Sequence, residues 1–490
     1  MKYDIFKTME SYCNKTAIKF EEKLITYDEL LSNVKYLENK FFELGVGSHS
    51  HVAIKISNSL SYLYILLALW KINATIVPID LQVSENNLQE LLQQADVTFL
   101  ITDQKNLCTK DFLEKNPTLY GIVTYTNKTI DFINKSNFGN VKTWIQQQNL
   151  PSKDGYIILF TSGTSGKSKG VLIKKDSFLN NLKKVIEYTG LTDKDSILLT
   201  LPLTYCFALS QLLSHLIVGG KVIIYDGIKN PIDIILKIQE NKVTNFSATP
   251  YFYETIVKEN ENINFKFTNL KFFMNAGGYI SKQTIIKILT LFSGIMFFNN
   301  YGQTEASPRL TYNKISGVNC DISSVGKPLK GVTIKIEKYS EENIGEIIYN
   351  SVDMMLGYYK NKIIPRDEFI HSGDLGFLDE SGNLTIVGRK DSMIKINGRK
   401  VYKNKIEDEL NSLPFVKMIK LKKEIHQRFG EYFAAYIVPF ENYQKNDLIN
   451  KLQSYCKVHF DKYISPKKFI IVENIKLNSN QKIILEESKK

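Results

Sequence analysis

From residue 52 to residue 225 short apolar runs alternate with amphipathic stretches, and that alternation constrains the fold more than any other feature of the chain. Residues 52–56, 75–78 and 98–102 read as strands, with helices at 60–71 and 86–94 between them. The pattern returns as strands at 157–160, 196–201 and 221–225 and helices at 177–188 and 211–218. Strands joined through helices at this spacing predict largely parallel sheets covered by helices, an α/β class. Residues 124–153 are polar and rich in Asn, Lys and Gln, which reads as a surface excursion. From Gly331 the pattern turns to short strands with hairpin signals, 379–383 lying between strands at 375–377 and 384–387. Beyond Asp391 the mixture changes again, with helices at 403–411 and 446–459 and a strand at 433–438. The expected layout is a large N-terminal domain (1–390) of helix-covered sheets with a smaller β-subdomain. A small mobile C-terminal α+β domain (391–490) follows it.

Composition removes several classes of function. With 43% hydrophobic and 23% charged residues the chain is an ordinary globular one. Its formal charge of +12 is spread along the sequence without a nucleic-acid motif, so no nucleic-acid partner is expected. The five cysteines (Cys13, Cys108, Cys206, Cys320, Cys456) lie far apart and never in C-x-x-C spacing, which speaks against a disulfide framework and a zinc site. His49 and His51 have no further ligand type close by. The N-terminus lacks the apolar core of a signal peptide, and the run 60–70 is too short to span a bilayer. A cytoplasmic protein without a membrane span is expected.

The densest chemistry lies in Leu159-Phe-Thr-Ser-Gly-Thr-Ser-Gly-Lys-Ser-Lys-Gly-Val171. A strand runs into a loop of glycines, hydroxyls and lysines, with a helix expected from about residue 176. Glycines let backbone N–H groups turn toward a polyphosphate, hydroxyls donate to its oxygens, and lysines offset its charge. The spacing is not that of a Walker A loop, since only two residues separate Gly163 from Gly166.

This loop closely resembles the T-S-G-[ST]-T-G-x-P-K-G signature of the adenylate-forming superfamily: acyl-CoA synthetases, peptide-synthetase adenylation domains and luciferases. Ser165 stands for the usual Thr and Ser168 for the usual Pro. Further segments resemble the family's motifs in the family's order. They are Leu24-Ile-Thr-Tyr-Asp-Glu-Leu30, Ala74-Thr-Ile-Val-Pro-Ile-Asp80, Asn299-Asn-Tyr-Gly-Gln-Thr-Glu305 and His371-Ser-Gly-Asp-Leu375, then Gly388-Arg-Lys-Asp391 and Leu477-Asn-Ser-Asn-Gln-Lys482. The resemblance implies ATP-dependent activation of a small-molecule carboxylic acid as an acyl-adenylate, then acyl transfer to a thiol. Phosphates would lie among Thr161, Ser162, Gly163, Thr164, Ser165, Gly166, Lys167 and Lys169. Thr304 would meet the α-phosphate and Glu305 the Mg²⁺ that accompanies ATP, a hard cation that suits a carboxylate. Tyr301 would stack on adenine beside Gly277, Asn300 and Gly302, Asp374 would accept the ribose hydroxyls through both oxygens, and Arg389 would complete the nucleotide site. Lys482 would be the catalytic lysine, Asp391 the hinge, and Gly398 the wall of a tunnel for a pantetheine arm.

Only five arginines stand among 63 basic residues: Arg309, Arg366, Arg389, Arg399 and Arg428. In so Lys-biased a chain an arginine suggests a place where a planar, forked cation matters. For the acid pocket the resemblance offers Tyr205, Cys206 and Phe207. Cys206 falls where amino-acid-activating relatives carry an aspartate, and a thiol does not balance an ammonium ion. That weakens an α-amino acid substrate without excluding it. CoA and the phosphopantetheine of a separate carrier protein present the same thiol arm, and both stay open; only eight residues follow Lys482. A nucleotide-binding protein without catalysis is opposed by Glu305, Asp374, Arg389 and Lys482 occurring together.

Overall fold

The computed structural model describes residues 4–126, 129–135, 144–151, 154–162, 168–225, 230–259, 265–338, 343–396, 399–426, 430–440, 443–461, 464–477 and 483–484. A nine-stranded sheet runs Lys327–Pro328, Thr311–Ile315, Met296–Tyr301, Phe272–Asn275, Asn245–Ala248, Ser196–Leu199, Lys221–Ile224, Thr16–Phe20, Lys23–Thr26. Its centre is parallel and its two edges antiparallel. An eight-stranded sheet runs Gly357–Tyr358, Ser168–Lys174, Tyr156–Ser162, Thr75–Pro78, His51–Lys55, Phe99–Thr102, Gly121–Thr126, Thr129–Asn134.

Two helices lie between these sheets. All residues of Cys206–Ile217 are buried, as are those of Leu60–Lys71 from Tyr62 to Trp70. A helix apolar on every side must be covered on every side. Here one core joins Leu66 and Leu212 of the helices to Ile18 and Val222 of one sheet and to Val52 and Ile76 of the other. The alternation read from the sequence therefore becomes a layered α/β body, as expected.

Two strands were not expected. After the phosphate loop Ser168–Lys174 returns as an antiparallel strand, Thr161 facing Lys169 and Ser162 facing Ser168. Val171, Leu172 and Ile173 are buried there, and an apolar run covered on both faces holds as a strand. The helix expected from about residue 176 follows it as Lys175–Thr189. The stretch expected as a polar excursion instead contributes Thr129–Asn134, paired antiparallel with Gly121–Thr126 at a sheet edge.

Four antiparallel strands, Val332–Lys338, Gly345–Ser351, Ile370–Leu378 and Leu384–Arg389, form a smaller sheet. The expected hairpin at 379–383 is present; the Asp379 N–H donates to the Asn383 carbonyl at 3.0 Å. From Ile394 onward the chain builds a further core, with Ile406 and Leu410 of one helix and Leu448 and Leu452 of another packed on Ile419 and Ile437. No helix among the described residues is long and apolar enough to cross a membrane.

One buried cation fastens the hairpin to this frame. Lys175, 2% exposed, follows the strand Ser168–Lys174 directly and sends its ammonium to the carbonyls of Leu69, Trp70 and Ala74 at 3.2, 3.3 and 2.9 Å. Burial pulls its pKa well below that of an ordinary lysine. Lys175→Ala is expected to cost about 2–4 kcal/mol through lost packing and lost ties, read as a lower denaturation midpoint. An unchanged midpoint would mean that desolvation cancels those ties.

Candidate active site

The strand Met296–Tyr301 leaves the parallel sheet and meets a close backbone crossing. A Cβ on Gly302 would stand 1.9 Å from the Pro308 carbonyl oxygen, so only glycine fits there. The chain then makes a short helical turn at Thr304–Ala306 and returns to the sheet, the Leu310 N–H donating to the Tyr301 carbonyl at 2.9 Å. This closed loop borders a cavity of about 860 Å³ between the sheets and the C-terminal residues.

Asp374 sits at one end of the cavity inside a hydrogen-bond network. Its Oδ2 accepts from the Tyr301 hydroxyl at 2.7 Å and from Gln303 Nε2 at 3.1 Å, and its Oδ1 from Arg389 Nη1 at 3.2 Å. Each carboxylate oxygen has two lone pairs, so Oδ2 is saturated and Oδ1 keeps one. Burial and the neighbouring carboxylate hold the Tyr301 phenol far above its usual pKa, neutral and donating. Arg389 also lies 3.6 Å from Asp391. Asn300, buried, is held by two neighbours: its Oδ1 accepts from Tyr188 and its Nδ2 donates to the Asn275 carbonyl.

In the middle of the cavity the hairpin strand and the closed loop converge. Glu305 Oε1 accepts from the Tyr358 hydroxyl at 3.0 Å, and Lys169 Nζ lies 5.0 Å from the centre of the Tyr358 ring. Tyr358 therefore touches a cation on its face and an anion at its tip. Burial, with Glu305 adding to it, pushes its phenol well above the ordinary range. Thr161 and Thr304 border the same space.

At the far end Tyr205, Cys206 and Phe207 open the fully buried helix. Arg309 faces them, its guanidinium carbon 4.4 Å from the centre of the Phe207 ring. Burial drives the Cys206 thiol far above its usual pKa, so it is neutral.

Of the residues singled out in the sequence, Thr161, Lys169, Tyr205, Cys206, Phe207 and Gly277 line this cavity. Asn300, Tyr301, Gly302, Thr304, Glu305, Asp374 and Arg389 line it too, whereas Asp391 reaches it only through Arg389. Ser162 ends its strand. Gly163, Thr164, Ser165, Gly166, Lys167, Gly398 and Lys482 lie outside the described residues. Arg309, Gln303 and Tyr358 were assigned no role from the sequence. The scarcity of arginine was the one signal that pointed to the first of them.

The C-terminal residues close the mouth through charged groups. The Tyr279 hydroxyl donates to Asp408 Oδ2 at 2.6 Å, and Lys420 lies 3.3 Å from Glu254 and 3.8 Å from Glu407. The apolar contact beside them is small: Met418, Val438 and Ile475 with Tyr251.

The chain is similar to known proteins along most of its length. The family model described as AMP-binding enzyme matches residues 5–359. The chain is 25% identical over 486 residues to the 2-succinylbenzoate–CoA ligase of Bacillus thuringiensis subsp. konkukian, covering 97% of this chain and 95% of that one. To the ligase of the same description from Oceanobacillus iheyensis it is 26% identical over 483 residues, covering 96% and 95%. Solved structures that share the fold include two acyl-adenylate complexes. The o-succinylbenzoate CoA synthetase of Bacillus subtilis with its acyl-adenylate intermediate superposes with TM-score 0.80 at 21% identity, covering 99% and 98% of the two chains. An anthranilate CoA ligase in complex with anthranoyl-AMP superposes with TM-score 0.83 at 19% identity, covering 98% and 96%.

The closing contact carries a pH signature. Burial, reinforced by Glu407, pushes the Asp408 carboxyl up to about 6, against the pull of the Tyr279 hydrogen bond and Lys420. The closed arrangement thus holds a proton that a freed Asp408 gives up near pH 4. Its stability is expected to fall as pH rises from about 4 to about 6 and to level off above that. Asp408→Asn still accepts from Tyr279 but does not titrate, so its melting midpoint should lack this part of the decline. Parallel midpoint-against-pH curves for the two proteins would refute the assignment.

Proposed function

The chain belongs to the AMP-binding enzyme family, and from that premise we propose that it is an AMP-forming acid–CoA ligase. It joins a carboxylic acid to ATP as an acyl-adenylate, releases pyrophosphate, and passes the acyl group to the thiol of coenzyme A. The observation that carries this reading is the cavity itself. It joins three environments in one space: the Tyr301–Asp374–Arg389 network, the Lys169–Tyr358–Glu305 cluster, and the end where Arg309 faces Phe207.

The first step brings two anions together, a carboxylate and a triphosphate, so cations and oriented donors must offset their repulsion. Lys169 and Thr161, on facing strands of one hairpin, supply a charge and a hydroxyl at the phosphate end. The hydroxyl of Thr304 is the donor for the α-phosphate. The carboxylate oxygen attacks the α-phosphorus, the bond to the β-phosphate oxygen breaks, and pyrophosphate leaves. Glu305 fits a magnesium ligand, because among the described residues only its Oε1 is hydrogen-bonded, to Tyr358. When bound, Mg²⁺ neutralises phosphate charge at that carboxylate. Asp374 has one lone pair on Oδ1 for a ribose hydroxyl; a second hydroxyl requires Tyr301 or Gln303 to give way. Lys482 is assigned to the developing charge between carboxylate and α-phosphate.

In the second step the CoA sulfur attacks the acyl carbon and AMP leaves. We assign Asp391 as the hinge about which residues 391–490 turn between the steps, and Gly398 to the path of the pantetheine arm. The charged contacts of Asp408 and Lys420 suit a surface that must open, since polar contacts regain water when they part. CoA is favoured over a carrier protein because the relatives matched along nearly their whole length are named CoA ligases. An α-amino acid is disfavoured, since where the resemblance would put an aspartate for its ammonium the chain has the neutral Cys206 thiol, with cationic Arg309 nearby.

Acid-dependent ATP–pyrophosphate exchange is the first test, with 2-succinylbenzoate and aromatic, aliphatic and amino acids as the panel. Exchange with at least one acid is expected; ATP binding with no exchange for any acid would overturn the reading. Lys482→Ala should slow adenylate formation by about 100- to 1,000-fold and leave pre-formed acyl-AMP reactive toward CoA. Equal loss of both steps would remove its assigned role. Asp391→Pro should spare exchange and impair thioester formation, and a variant normal in both would remove the hinge.

A further inference from the structure

Arg309 is 2% exposed and borders the cavity, yet no carboxylate among the described residues pairs with it. Its neighbours are neutral: the Phe207 ring at 4.4 Å, the Met274 sulfur at 3.8 Å from Nη2, and the Tyr188 hydroxyl. Its Nε, also buried, has no hydrogen-bond partner. Glu305, on the same loop, is turned to Tyr358 instead.

A guanidinium carries its charge at every physiological pH, and burying it with an unmet donor is costly. A cation kept only for structure would have its donors met by carbonyls or carboxylates. Here the Nε stays unmet while the residue is held in place. Asn181 grips the Arg309 backbone from both sides, its Nδ2 donating to the Arg309 carbonyl at 2.9 Å and its Oδ1 accepting from the Arg309 N–H at 3.1 Å. Phe207 supports the face of the guanidinium. The result is an immobile forked donor at the acid end of the cavity.

We propose that Arg309 binds a second carboxylate on the acid substrate, so that the enzyme activates one carboxyl group of a dicarboxylic acid while this arginine holds the other. The proposal rests on the reading of the cavity as an acid-activating site. A carboxylate supplies two coplanar acceptors that match the guanidinium fork and meet the unsatisfied Nε. A monocarboxylic acid with an apolar tail would leave the buried charge dry and unpaired. Discrimination arises from that mismatch, because sites built around a buried polar partner reject analogues that lack it.

The test uses graded diacids (glutarate, adipate, pimelate, phthalate and homophthalate), each beside its monomethyl ester. Binding is measured by calorimetry with a non-hydrolysable ATP analogue present, and exchange is measured separately with ATP. In the wild-type protein at least one diacid should bind about 100-fold more tightly than its ester. In Arg309→Met that ratio should fall close to one, and in Arg309→Lys to an intermediate value. If no diacid outbinds its ester in the wild type, the proposal is overturned without recourse to any variant. It is equally overturned if Arg309→Met weakens diacid and ester by the same factor, the signature of a role in packing or at the reacting carboxylate. Exchange that ignores the second carboxylate would sink this inference and leave adenylation standing. Arg309-dependent diacid binding without exchange would do the reverse.

Discussion

The twelve residues of Cys206–Ile217 have no face turned to water, and the rest of the molecule is arranged around that fact. Apolar side chains fill most of its circumference, while its polar ones are matched to particular partners. Gln211 accepts from Ser247 and donates toward the Met274 sulfur, and His215 meets Asn245. Burial drives the His215 pKa down to about 4, so the imidazole stays neutral between the sheets. Tyr27 approaches from the other side, its hydroxyl donating to the Leu216 and Gly220 carbonyls. Apolar packing alone would let such a helix slide or rotate, and these bonds remove both freedoms. The helix start, with Tyr205, Cys206 and Phe207, is therefore fixed relative to the strand that carries Tyr301 and the loop that carries Arg309.

Much of this was legible in the sequence because it rests on local signals. Strand and helix periods marked the sheets, and the order of the motifs at Thr161, Tyr301, Asp374 and Arg389 marked one end of the cavity. The strand Ser168–Lys174 was not legible, because its first residues are the polar ones of the phosphate loop and its apolar part is short. Thr129–Asn134 was hidden in the same way: a half-exposed edge strand alternates polar residues and resembles a loop. Tyr358 and Glu305 are 53 positions apart, and no local pattern joins them. Arg309 is the extreme case. No carboxylate among the described residues pairs with it, and only the folded chain shows that.

The two ends of the molecule are held by different physics. The sheets close on apolar side chains packed across a continuous core, which does not part without unfolding. The C-terminal residues rest on the cavity mouth through Tyr279, Glu254 and Glu259 against Asp408, Lys420 and Lys417. Polar contacts can be replaced by water where apolar packing cannot, and salt weakens the more exposed Lys417–Glu259 pair. The sheet body and the C-terminal cover are thus held by different kinds of contact.

The closed loop from Tyr301 to Leu310 has a metric consequence. Its ends touch, its second residue tolerates no side chain, and Asn181 clamps its far end. Thr304, Glu305 and Arg309 therefore belong to one stiff piece. In the proposed reading, the span from Thr304 and Glu305 to the guanidinium is a gauge block, along which a diacid fits or fails by length as well as by charge. Altering that length in another enzyme built this way means recutting the whole loop, since none of its members moves alone.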